Sequence, residues 1–173
     1  MTPLSVAIKL GHLEAVRWLL EKNASPSEYC TSTMIYKPLD LAAAQNKPEI
    51  VELLLENYDF NIDSKSNGAL HHAINHRMFK VVKSFIEKGV DLNEYYMNKT
   101  PLGASLNCGT TKSGDARLVK RLLVAKADVL KRSKLCTTIY GSGELVDLVK
   151  VAKAYSNSKC VELIVAAYHA ATN

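Results

Sequence analysis

A chain of 173 residues that is 47% hydrophobic and 23% charged has a soluble globular composition and enough length for a sizeable core. It contains no apolar run near the roughly 18 residues needed to span a bilayer, and no basic-then-apolar leader. The net charge of +5 suits acidic partners, anionic surfaces or nucleic acid. Its source is local, because Lys112, Arg117, Lys120, Arg121, Lys126, Lys131, Arg132 and Lys134 are met by only Asp115 and Asp128.

In chain order, Thr2-Pro3-Leu4 predicts a helix start, since proline at the first helical position gives up no needed N–H. Gly11 predicts its stop, and "EAVRWLL" predicts a second, amphipathic helix. The same order returns at Lys37-Pro38-Leu39-Asp40, with Asn46 as the stop and "EIVELLL" as the second helix. It returns again at Gly68-Ala69-Leu70-His71-His72-Ala73 with "KVVKSFI" and "KGVDLN". A fourth copy runs from Thr100-Pro101-Leu102-Gly103-Ala104 through Gly109 to "RLVKRLL" and "KADVL". The anchors Pro3, Pro38, Ala69 and Pro101 lie 35, 31 and 32 residues apart, the spacing of a repeat array. A worn fifth copy aligns Asp147 to Ala152 with the first helix and Cys160 to Val165 with the second.

Two stretches break the period: "TTKSG" at Thr110 to Gly114, and Ser133 to Glu144 with its Gly141-Ser142-Gly143. Both predict surface loops. Each unit therefore predicts a short helix, a tight turn, a second helix and a hairpin-like loop.

Taken together, the T-P-L-H-x-A start, the G-H turn, the V-x-x-L-L second helix and the G-A-x-x-N loop resemble the ankyrin repeat. The resemblance implies an all-α ankyrin-repeat solenoid of stacked helix-turn-helix units. Its expected repeats are 1–31, 32–62, 63–94, 95–132 and a degenerate capping repeat at 133–173. It also implies a protein-binding module rather than an enzyme, acting as a monomer through a concave face and its loop tips. The family's variable positions fall on Met34, Tyr36, Lys65, Asn67, Tyr96, Met97 and Lys99 at the tips. They fall on Gln45 and His76 at the exposed ends of first helices, beside Lys9, Leu10, Asn75 and Cys108.

Chemistry is sparse. His72 and His76 are four apart and would share a helix face, as zinc ligands do, but no HExxH glutamate follows and no third ligand lies close. His71 occupies the structural histidine position of the resembled motif. The four cysteines carry no CxxC spacing and read as reduced thiols of a cytoplasmic protein. No nucleophile elbow or phosphate loop is present, so no catalytic, metal or cofactor residue is expected.

The basic patch of Lys112, Arg117, Lys120 and Arg121 lacks the interleaved aromatics of a nucleic-acid platform; it reads first as the wet face of an amphipathic repeat helix, and second as a contact for an acidic protein or lipid surface. The Lys-, Asn- and Ile-rich wording points to a bacterial or parasite protein working in a host cytoplasm. The abrupt start at "TPL" suggests a fragment of a longer array. The alternative expectation is a recognition or targeting segment of a longer enzyme.

Overall fold

A computed structural model describes residues 1–26, 28, 30, 36–57, 67–106, 114–131, 133–134, 145–155 and 158–172. The chain divides into two compact units, Met1–Ala73 with Met78–Lys88, and Ile74–Arg77 with Gly89–Asn173.

The first unit holds α1 (Pro3–Leu10), α2 (Leu13–Glu21), α3 (Pro38–Ala44), α4 (Pro48–Asn57), α6 (Phe79–Glu87) and most of α5 (Asn67–Asn75). Helices this short are marginal in isolation, so packing must hold them. Within the unit, α1 lies on α2 and α3, α3 on α4, α2 on α4, and α4 on α6. First helices thus meet first helices and second helices meet second helices. The core is Leu4, Ile8, Val16, Leu39, Val51, Leu54, Leu55, Val82 and Phe85, all nearly or fully buried.

The second unit holds α7 (Pro101–Leu106), α8 (Ala116–Val124), α9 (Leu148–Tyr155) and α10 (Ser158–Thr172). Here α7 packs on α8 and α9, while α8 and α9 both pack on α10. Leu102, Leu106, Leu118, Leu122, Leu148 and Ile164 fill its interior. The strands β1 (Ser133–Lys134) and β2 (Leu145–Val146) add a two-residue antiparallel pair, Ser133 opposite Val146 and Lys134 opposite Leu145. This small ladder was not expected from the sequence. It closes the base of the longer insertion without changing the helical class.

The caps explain the repeated starts and stops. Thr2 Oγ1 accepts the Ser5 N–H at 3.2 Å, and Thr100 Oγ1 accepts the Gly103 N–H at 3.1 Å. Lys37 offers no side-chain cap to α3, where proline alone sets the start. Each stop is a residue in the left-handed region: Gly11 at φ 74°, Asn46 at φ 54° and Arg77 at φ 55° end the first helices of three repeats. All three make the same paired bonds, Gly11 to Ile8 with His12 to Ala7, Asn46 to Ala43 with Lys47 to Ala42, and Arg77 to Ile74 with Met78 to Ala73. Gly11 and Asn46 are the residues expected there; Arg77 fills the third turn without being a turn former. Gly109, the expected fourth stop, lies outside the described residues. The "TTKSG" insertion leaves the helix pair intact, because the Asp115 N–H donates to the Ser105 carbonyl at 3.1 Å across it.

Candidate binding surface

Tyr96 and Lys99 exchange both backbone hydrogen bonds, each 3.0 Å, and between them Met97 and Asn98 sit at φ 49° and φ 63°. Two central residues with positive φ and a reciprocal pair define a type I′ hairpin turn. Its usual occupants are Asn and Gly; a long unbranched side chain at the first position costs roughly 1 kcal/mol. Met97 is nonetheless 74% exposed at the apex.

The base of this loop is fixed by side chains. Asp91 Oδ1 accepts the Asn93 N–H at 2.8 Å, and Asn93 Oδ1 accepts the Asp128 N–H at 2.7 Å. Asp128 Oδ1 then accepts the Leu130 N–H at 2.8 Å, tying the hairpin to the next repeat's loop. The same tie brings the Lys131 ammonium to 5.0 Å from the centre of the Tyr95 ring. Tyr95 and Leu130 are both 44% exposed. The result is a braced loop tip carrying Tyr95, Met97 and Leu130 with cations beside them.

The expected binding residues are distributed unevenly. Tyr96, Met97 and Lys99 share this turn, with Tyr96 and Lys99 half-buried. Tyr36 is half-buried, its ring 6.0 Å from that of His72, and its carbonyl accepts the Cys30 N–H at 2.8 Å. Gln45 is exposed at the end of α3, and His76 is exposed in the turn after α5. Asn67 is the first residue of α5 rather than part of a loop. Met34, Lys65 and Lys112 lie outside the described residues, as does Cys108.

In the basic patch, Asp115 caps α8 through the Arg117 N–H at 3.0 Å and grips the guanidinium at 3.1 and 3.3 Å. Burial pushes the Asp115 carboxyl up, but these bonds and the charges of Arg117 and Arg77 outweigh it and hold it below its ordinary value. Lys120 and Arg121 are exposed on the same helix.

The described cysteines are poor nucleophiles. Cys30 and Cys160 are buried, free thiols. Burial, helped by Asp40, pushes Cys30 up to about 11; burial and then Asp115 raise Cys160. His71 is buried while His76 is exposed, and no group of three His, Cys, Asp or Glu suited to a metal occurs among the described residues.

Tyr95 and Leu130, exposed beside Met97, were not among the expected binding residues. Which of the adjacent tyrosines faces outward depends on the hairpin register. The Met-Asn apex gives no strong I′ signal from which to read that register.

Short two-helix units joined by capped left-handed turns, stacked first helix on first and second on second, place the chain among the all-α repeat proteins. A family model described as ankyrin repeats in three copies matches residues 39–133, and one described as ankyrin repeats in many copies matches residues 4–55. The chain belongs to the ankyrin-repeat family. Ankyrin repeats are in general protein–protein interaction modules and are typically non-catalytic. No curated protein matches the chain. No described helix is long and apolar enough to cross a membrane.

Proposed function

We propose that this chain is a protein-binding module that engages its partner through the Tyr95–Lys99 loop tip. The observation that carries the reading is Met97, an apolar side chain 74% exposed on a backbone conformation that disfavours it. Neither property serves folding, because Asn or Gly would make the same turn at lower cost and lower exposure. Tyr and Met are interface residues, and a braced hairpin loses little entropy on binding. Gln45, His76 and Tyr36, with Met34, Lys65 and Asn67, complete the proposed binding set by family position. Arg117, Lys120 and Arg121, with Lys112, suit a partner whose surface is acidic.

The chain also reads as one array of five repeats, the last spanning 133–173. In support, α9 and α10 pack on α7 and α8 in the same pairing that the first unit uses. A cytoplasmic site of action, in a host cell if the protein is a secreted effector, belongs to the same proposal and is supported by the free thiols.

The test is affinity capture with immobilised wild type against Tyr95→Ala/Met97→Gly. Partner retention is expected to fall at least tenfold, the value of about 1.4 kcal/mol. A variant that remains folded and retains every partner at the wild-type level removes the proposal.

A further inference from the structure

Sequence-equivalent second helices of the four regular repeats carry different charges on their outer faces. The first, fourth and eighth positions are Glu14, Arg17 and Glu21 in α2, and Lys80, Lys83 and Glu87 in α6. Both sets mix signs and pair internally, Glu14 with Arg17 at 3.9 Å and Lys83 with Glu87 at 3.2 Å. In α4 the three positions are Glu49, Glu52 and Glu56, and the helix contains no cation. In α8 they are Arg117, Lys120 and Val124, with Arg121 alongside and no acidic residue in the helix. Like charges one helical turn apart destabilise a helix, so neither single-sign face serves its own stability.

Val124 sharpens the contrast. It stands where the other three helices carry glutamate, and at 77% it is the most exposed of the large apolar side chains described. The acidic face of α4 meanwhile borders a groove of about 550 Å³ against α6, lined by Glu52, Leu55, Glu56, Ser84, Glu87 and Lys88. Three carboxylates and the Lys88 ammonium line it; Glu87 is paired with Lys83, and Leu55 lies buried beneath Glu52 and Glu56.

We propose that the basic stripe of α8 docks into the α4–α6 groove of a second copy of this chain. Lys120 and Arg121 meet Glu52 and Glu56, and Val124, one turn on along the same stripe, is withdrawn from water at the contact. Arg117, already held by Asp115, contributes less. This takes up the reading of α8 as a surface for an acidic partner and names that surface; it is independent of the Met97 hairpin.

Sedimentation of the full chain tests it. At low ionic strength the mass is expected above the 19.1 kDa of one chain, returning to that value in about 0.5 M salt, where screening acts over a few ångströms. Glu52→Lys/Glu56→Lys and Lys120→Glu/Arg121→Glu are each expected to remain single chains, and their equimolar mixture to associate again. The neutral Glu52→Gln/Glu56→Gln variant, which tolerates any folding cost of reversal, is expected to lose at least tenfold in association. A wild-type chain that stays at 19.1 kDa at low salt and high concentration overturns the proposal. So do reversal variants that associate like wild type, or a mixture that stays apart. Partner capture through Met97 survives all of these outcomes, so the two proposals fail separately.

Discussion

Replacing Asp40 with asparagine is expected to stabilise the protein near neutral pH and to flatten its stability between about pH 4 and 6. Asp40 is 8% exposed in α3, and its Oδ1 is buried without a hydrogen-bond partner. Burial raises its carboxyl from 3.8 to about 6, against the opposing pull of the Ala69 and Lys37 N–H groups and the Lys37 charge. The folded state therefore holds the proton more tightly than the unfolded chain does. The stability linked to that proton is fully present below about 3.8 and is lost as pH rises through about 6.

A displacement from 3.8 to about 6 corresponds to roughly 3 kcal/mol at ~1.4 kcal/mol per pH unit. Asparagine keeps the shape and removes the charge but brings an amide that needs a partner, so the expected gain at pH 7.5 is about 1–2 kcal/mol. Urea unfolding of both proteins at pH 5 and pH 7.5 measures it. The histidines are common to both chains, and the Cys30 thiol, pushed up to about 11, stays neutral throughout, so the difference isolates Asp40. Equal pH dependence in the two proteins, or a less stable variant at pH 7.5, would refute the reasoning.

Met97→Gly should relieve the left-handed strain and raise stability by about 0.5–1 kcal/mol while weakening partner capture, a split that thermal melting and pull-down read together. Lys126→Gly should give a similar gain with no loss of capture, because Lys126 holds φ 63° at the end of α8 and is not one of the Tyr95–Lys99 residues proposed to contact the partner. Asp115→Ala should cost about 1–2 kcal/mol by removing the α8 cap, measured by chemical unfolding at neutral pH. Because the Asp115 carboxyl is held low, its contribution is present above the ordinary carboxylate range and disappears on acidification, so the variant and wild type should converge in strong acid.

Much of this molecule is written locally. The Thr-Pro-Leu starts, the Gly11 and Asn46 stops and the V-x-x-L-L faces are consequences of proline geometry, left-handed tolerance and helical period, so each can be read one repeat at a time. Arg77 and Lys126 show the limit. Each occupies a left-handed turn that its own propensity opposes, and packing of the flanking helices imposes it. The C-terminal helix pair shows it again. The matched family regions end at residue 133, yet α9 packs on α7 and α10 on α8, first helix on first and second on second. Its helices keep an apolar face long after the motif letters have gone.

The candidate binding surface was less legible. Sequence placed Tyr96, Met97 and Lys99 at one tip, because spacing within a repeat fixes which residues reach the loop. Only the folded chain decided that Tyr95 and Leu130 join them, since that depends on a hairpin register and on the Asn93–Asp128 tie between residues 35 apart. Only the fold, too, made Asp40 a strained carboxyl, because its burial comes from neighbouring helices and not from its own motif. The sequence by itself determined the repeat, its caps and its helical class, which rest on interactions within a turn or two. Tertiary structure decided exposure, charge environment and which loops meet, because those arise only when distant segments close around one another.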